Sequence, residues 1–126
     1  MIKLSVEKIM ELHAKMTTAT GGEPNIRDRG LLASAVELPF ATFGGEELYP
    51  SIKQKGARLG YSLIANHAFM DGNKRIGIYA TLVFLAVNGI NIVATNNEVA
   101  NIALDLASGR AHYDDLLAWI DDHEKK

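Results

Sequence analysis

The stretch His67-Ala-Phe69-Met-Asp71-Gly72-Asn73-Lys74-Arg75 gathers a proton acceptor, a carboxylate, a turn-forming pair and two adjacent cations. An imidazole accepts a proton at neutral pH, so His67 is the natural base here for a hydroxyl attacking phosphorus. Gly72 is free to take a positive φ that points successive backbone N–H groups to one concave side, and Asn73 is expected to cap the helix that follows. Lys74 and Arg75 then stand where the helix macrodipole is already positive, an arrangement that costs about 0.3–1 kcal/mol per cation. A phosphate seated on the turn offsets that cost and their mutual repulsion. The bland alternative is an ion pair of Lys74 or Arg75 with Asp71 or another acid. Asp71 also has two readings: a single-carboxylate Mg²⁺ ligand bridging phosphates, or an Asx contact that stabilises the turn. Phe69 is expected to bury its ring under the loop and fix the backbone above it.

Two helices must hold this turn. Ile52, Gly56, Leu59 and Leu63 recur near the helical period behind a Ser51 cap, which predicts a helix whose C-terminus carries His67. Arg75 to Val87 is nearly all apolar, so a buried helix with no exposed face is expected, stopped by Asn88-Gly89. Upstream, Ser5 caps a helix with Val6, Ile9, Met10 and Met16 on one face, ended by Thr20-Gly21-Gly22 and Pro24. His13 lies on that face and is expected to be a core residue with one satisfied nitrogen rather than a catalytic one. Asp28 caps a short helix over "RGLLASAV", and "ELPFATFGGEELYP" reads as an irregular loop with a Glu46-Glu47 tip, either functional or a solvated connection.

Downstream, a short extended piece over 90–94 precedes a Thr95–Glu98 capping box. A last amphipathic helix follows, with Leu116, Leu117 and Ile120 inward, Trp119 partly buried and its final charges solvated. The pattern predicts an all-α domain of about six helices around a central buried pair, with the whole of residues 1–126 as one domain.

Composition narrows the partners. With 126 residues, 48% of them hydrophobic, and a net charge of −2, the chain lacks the basic face that grips a nucleic-acid backbone. No cysteine is present, which leaves no disulfide, thiolate metal site or cysteine nucleophile and suits a cytoplasmic location. Lys3, Glu7 and Lys8 interrupt any signal-peptide core, and the longest apolar run is well short of the ~20 residues a membrane span needs.

The nine-residue stretch closely resembles the signature of the Fic/Doc family, and "GGEPNIRDRGLLASAVELPFATFGGEELYP" and "VFLAVNGI" extend the resemblance more loosely over much of the chain. The resemblance implies a compact helical Fic fold, His67 as base, Asp71 near the metal, and Asn73, Lys74 and Arg75 holding phosphates. Adenylylating members carry a second glycine where this chain has Lys74, and a further arginine where it has Ile78. Both departures resemble the Doc subgroup, whose flipped nucleotide presents its terminal phosphate. That subgroup implies a kinase using ATP and Mg²⁺ on a threonine of translation elongation factor Tu, a toxin that arrests translation. It also implies a Phd-type antitoxin in trans, because no full inhibitory Ser/Thr-x-x-x-Glu-Gly/Asn helix occurs: Thr42 to Glu46 has the spacing but is followed by Glu47. Adenylyl transfer and a non-catalytic nucleotide-binding module stay open as alternatives. An RNase-type toxin is less attractive, since no second histidine stands at a plausible spacing; His112 and His123 lie far along the chain.

Overall fold

Small residues dictate the centre of the fold. In the computed structural model, which describes residues 1–126, α3 (Ile52–Asn66) and α4 (Asn73–Val87) form the principal packing pair. Ser51 opens α3 with a reciprocal capping box, its hydroxyl accepting from Gln54 N at 3.0 Å while Gln54 Oε1 accepts from Ser51 N at 2.9 Å. The two helices touch through backbone. A Cβ at Gly60 would overlap Thr81 Oγ1 and lie 3.0 Å from the Gly77 carbonyl, and one at Gly77 would lie 2.9 Å from the Gly60 carbonyl. Thr81 Oγ1 donates to Gly77 O at 2.9 Å within its own helix and also reaches Gly56 O across the gap at 3.3 Å.

The other elements wrap this pair. α1 (Val6–Thr20) and α5 (Asn96–Ser108) pack on α4, while α2 (Arg29–Glu37) and α6 (Tyr113–His123) pack on α3. Ser5, Asp28 and Thr95 cap α1, α2 and α5 as the sequence predicts. A single core of 23 buried residues links them, with Ile9, Leu32, Leu63, Ile76, Leu85, Leu116 and Ile120 fully enclosed. No helix is long and apolar enough to cross a membrane.

Two expectations need correction. α4 includes Asn73, the expected cap, and it does have an exposed face: Tyr79 is 40% exposed and Ala86 and Val87 also meet solvent. Apolar side chains are common at surfaces, so composition alone overstated its burial. The 37–50 segment is not irregular. After a 3₁₀ turn, Leu38–Phe40, strand β1 (Thr42–Phe43) pairs antiparallel with β2 (Glu46–Glu47), and Gly44-Gly45, both at positive φ, form the two-residue tip. Glu46 and Glu47 are therefore strand residues. Glu47 accepts at 2.8 Å from the ammonium of Lys55, which is 1% exposed and also donates to the Tyr49 carbonyl.

Several of the carboxy-terminal charges are paired rather than merely solvated. Lys53 binds Asp121 and Glu124, and His123 Nε2 meets Glu98 Oε2 at 2.8 Å. In the extended piece over 90–94, Val93 N donates to His123 O and Asn91 O accepts from Lys125 N, both at 2.8 Å, so Ile92 bridges to Glu124 and the 123–125 segment is folded back onto it.

The helix crossing yields the first prediction. Helix propensity alone favours alanine over a mid-helix glycine by roughly 0.5–1 kcal/mol. At Gly77 the clash with α3 reverses that sign, and Gly77→Ala is expected to lower stability by about 1–3 kcal/mol in urea unfolding. A stabilised variant would mean the helices do not approach this closely.

Candidate functional site

The loop between the central helices is held from three sides. α3 ends with His67 in the left-handed conformation, φ 50° and ψ 51°, the one non-glycine residue with positive φ. Histidine visits this region more readily than most residues, at a cost of about 1–3 kcal/mol when the surroundings enforce it. Arg27 supplies that enforcement: its Nε donates to His67 O at 2.6 Å and its Nη2 to Asn66 O at 3.1 Å, satisfying carbonyls left open at the helix end. The 25–28 segment then runs antiparallel to the loop. Arg27 N and Asp28 N donate to Ala68 O at 2.8 and 3.0 Å, Met70 N donates to Asn25 O at 3.0 Å, and Ile26 bridges to Phe69.

Asn73 works inside the loop rather than as the helix cap expected from sequence. Its Oδ1 accepts from Phe69 N and its Nδ2 donates to Phe69 O, both at 3.0 Å. An amide committed to both backbone groups of Phe69 has no lone pair aimed at the helix start, so Gly72, at φ 78°, takes the cap position with no side-chain bond. The Phe69 ring is buried as predicted, 2% exposed.

The consequence is an open helix start. Side chains close α1, α2, α3 and α5, whereas the first N–H groups of α4 have no such partner and no acidic residue in the first turn. Lys74 and Arg75 stand there, and neither takes part in any ion pair of the structure, which removes the bland reading of the two cations. Asp71, Gly72, Asn73, Lys74 and Arg75 line one polar depression of about 380 Å³. His67 is exposed at the end of α3 and does not line that depression.

Asp71 does not close an Asx turn onto the residue two positions on: its Oδ1 accepts from the adjacent Gly72 N at 2.8 Å, and its Oδ2 accepts from Glu23 N at 3.4 Å. It stays exposed, and no group of three acidic, histidine or cysteine side chains converges anywhere in the chain. The socket can therefore hold an anion directly through N–H groups and two cations, with at most one protein carboxylate available to a divalent ion.

Residues 3–85 match the sequence profile of the Fic/DOC family. The chain is 43% identical to Toxin Doc of Mycolicibacterium smegmatis over 71% of its own length and 76% of that protein. It is 27% identical to Protein kinase doc of Escherichia phage P1 over 84% of its own length and 82% of the relative.

Sequence reasoning placed His13 in the core and missed that it is the floor of the loop. Its ring stacks on Phe69 at 3.7 Å and 12°, and its Nε2 donates to the Asp71 carbonyl at 2.7 Å. The other nitrogen, Nδ1, is buried without a partner. Nothing in a single helix face signals that contact across 58 positions. Burial pushes the His13 imidazole below the ordinary histidine range, Arg75 adds to this, and the Asp71 carbonyl and carboxylate oppose it. Because the folded state resists a proton that the unfolded chain accepts near pH 6.5, this contribution to stability is complete above about pH 6.5 and is lost as the pH falls from there. His13→Phe keeps an aromatic ring on Phe69 but cannot titrate. Its urea midpoint is expected to drop less than the parent's between about pH 7.5 and 5.5; equal drops would show that His13 is not kept neutral by the fold.

Proposed function

This chain belongs to the Fic/DOC family, and on that premise we propose that it is a Doc-type toxin kinase. In this reading it transfers the γ-phosphate of ATP to a threonine hydroxyl of translation elongation factor Tu in the cytoplasm and so arrests protein synthesis. The observation that carries the reading is the uncapped start of α4 with its two unpaired cations, a socket matched to a polyphosphate. The relatedness to proteins named Toxin Doc and Protein kinase doc supports the choice of donor phosphate. So does the residue one turn past Arg75, where adenylylating members carry a second arginine: here it is Ile78, 7% exposed and part of the core.

Positioning and charge neutralisation are the contributions asked of the protein in such a transfer. His67 takes the proton of the target hydroxyl as its oxygen bonds to the γ-phosphorus and the bond to the departing ADP breaks. Lys74, Arg75 and the open N–H groups offset the charge of the phosphates throughout. Asp71 is a hard oxygen donor, exposed and with lone pairs to spare beyond its two N–H partners, so it fits Mg²⁺ as a single protein ligand completed by phosphate oxygens and water. Such an ion, when bound, supplies further neutralisation of phosphate charge. Restraint of the toxin falls to a Phd-type antitoxin in trans, whose disordered tail folds on binding.

The test uses ATP labelled at either the α or the γ position, with magnesium and purified elongation factor Tu. The γ label alone is expected on the target; transfer of the α label would make the chain an adenylyltransferase, and transfer of neither with nucleotide still bound would make it a binding module. His67→Ala, altered at an exposed ring, is expected to stay folded and to lose transfer by about 10²–10⁴-fold. A folded His67→Ala protein at full activity would remove the base assignment.

A further inference from the structure

One arginine is held by rings instead of by acids. Arg58 leaves α3 on the side away from α4: Gly56 and Gly60, which face α4, flank it in sequence, and a step of two residues turns a helix by about 200°. Its guanidinium lies 4.3 Å from the centre of the Tyr113 ring on α6, 4.9 Å from that of Tyr49 and 5.6 Å from that of Tyr61. Tyr49 and Tyr113 also meet edge to face at 5.5 Å, which closes the cage. Aromatic faces attract the charge but leave the N–H donors unused. No carboxylate of the chain forms an ion pair with Arg58, and its Nε is buried with no hydrogen-bond partner. Lys55, one turn back, is by contrast paired with Glu47. Burial pushes the Tyr113 phenol above its ordinary range, against the pull of Arg58, so that ring stays neutral and offers no counter-charge.

We propose that this caged guanidinium docks an acidic side chain of another protein, its outer nitrogens holding both carboxylate oxygens. A side chain with five N–H donors and no acceptor inside the chain is completed by an anion from outside it. The fork matches a planar carboxylate, and one cation balances one negative charge. The surroundings disfavour other occupants. None of the surface depressions includes Arg58 or any of the three tyrosines, so the face is too flat to enclose a small molecule. The rings turn a face to the guanidinium rather than to a stacking base, and a single cation on a chain of net charge −2 gives little hold on a phosphate backbone. Tyrosines around an arginine are the composition found at the centre of protein interfaces, and here the rings fix the charged anchor before a partner arrives. Arg58 stands nine residues before His67, about 14 Å along the helix, so the patch is separate from the socket and independent of what the socket binds.

Heteronuclear NMR of the full chain tests the assignment, because the buried Nε–H of Arg58 is shielded from solvent exchange and can be followed directly. Three probes are added at equal concentration: an end-blocked peptide with one glutamate in a glycine–serine background, its twin with glutamine in place of the glutamate, and inorganic phosphate. The Arg58 Nε–H signal is expected to move at least fivefold further with the glutamate peptide than with the glutamine twin, and less with phosphate than with the glutamate peptide. In Arg58→Lys, which keeps the charge and loses the fork, the Tyr113 backbone amide is expected to respond alike to the two peptides. Equal responses of the parent to the two peptides, or a larger response to phosphate, overturn the assignment; this comparison needs no variant and decides the matter even if the lysine protein is unstable. A Tyr113 amide that still prefers glutamate in folded Arg58→Lys shows recognition of charge alone and equally overturns it. Signals of Arg58 and Tyr113 that shift when the peptide-free protein is diluted give the patch to a second copy of this chain, and the assignment to another protein is then wrong.

Discussion

The closure of Asn73 on Phe69 is the contact on which the site depends. Two bonds of 3.0 Å hold both backbone groups of Phe69 to one side-chain amide, and they turn the chain from the end of α3 into the start of α4. Everything else in the loop is arranged around that closure. The His13 ring lies flat beneath Phe69, its Nε2 fixes the Asp71 carbonyl, and the 25–28 segment pairs with the outer edge of the loop. Because these bonds occupy the inward-facing polar groups, the N–H groups at the start of α4 are left facing solvent.

A loop can be no better defined than its two ends. Those ends belong to α3 and α4; the glycines at 60 and 77 bring these helices into backbone contact, and Gly56 makes room for the Leu85 side chain. Bulkier side chains would move the helices apart and lengthen the span the loop must cover. The rigid pair also explains why His67 tolerates a left-handed conformation: Arg27 on one side and the helix crossing on the other leave the chain no relaxed alternative.

Local signals in the sequence were a good guide to local structure. The caps at Ser5, Asp28, Ser51 and Thr95 and the stop at Asn88-Gly89 stand where short-range chemistry puts them. The Phe69 anchor and the placing of His13 in the core follow from patterns within a few positions. What stayed hidden is long-range. Nothing near Arg27 shows that it caps a helix ending 39 positions later, and nothing near Lys55 shows that it would be buried. Asn73 illustrates the reverse failure: its position before an apolar helix matches a cap, yet a partner four residues back competed for its amide and won. The hairpin was missed because strands of two residues carry no periodicity to read.

The placing of strain across the molecule then bears on function. The starts of α1, α2, α3 and α5 are closed by side chains, and such a cap is worth about 1 kcal/mol. The start of α4 forgoes one and adds two cations to the positive end of the dipole. The fold does not need this arrangement, since Asn73 could cap the helix if it released Phe69, or an acid could replace Lys74. Two unpaired cations at an uncapped helix start are a local conflict of the kind that functional sites carry.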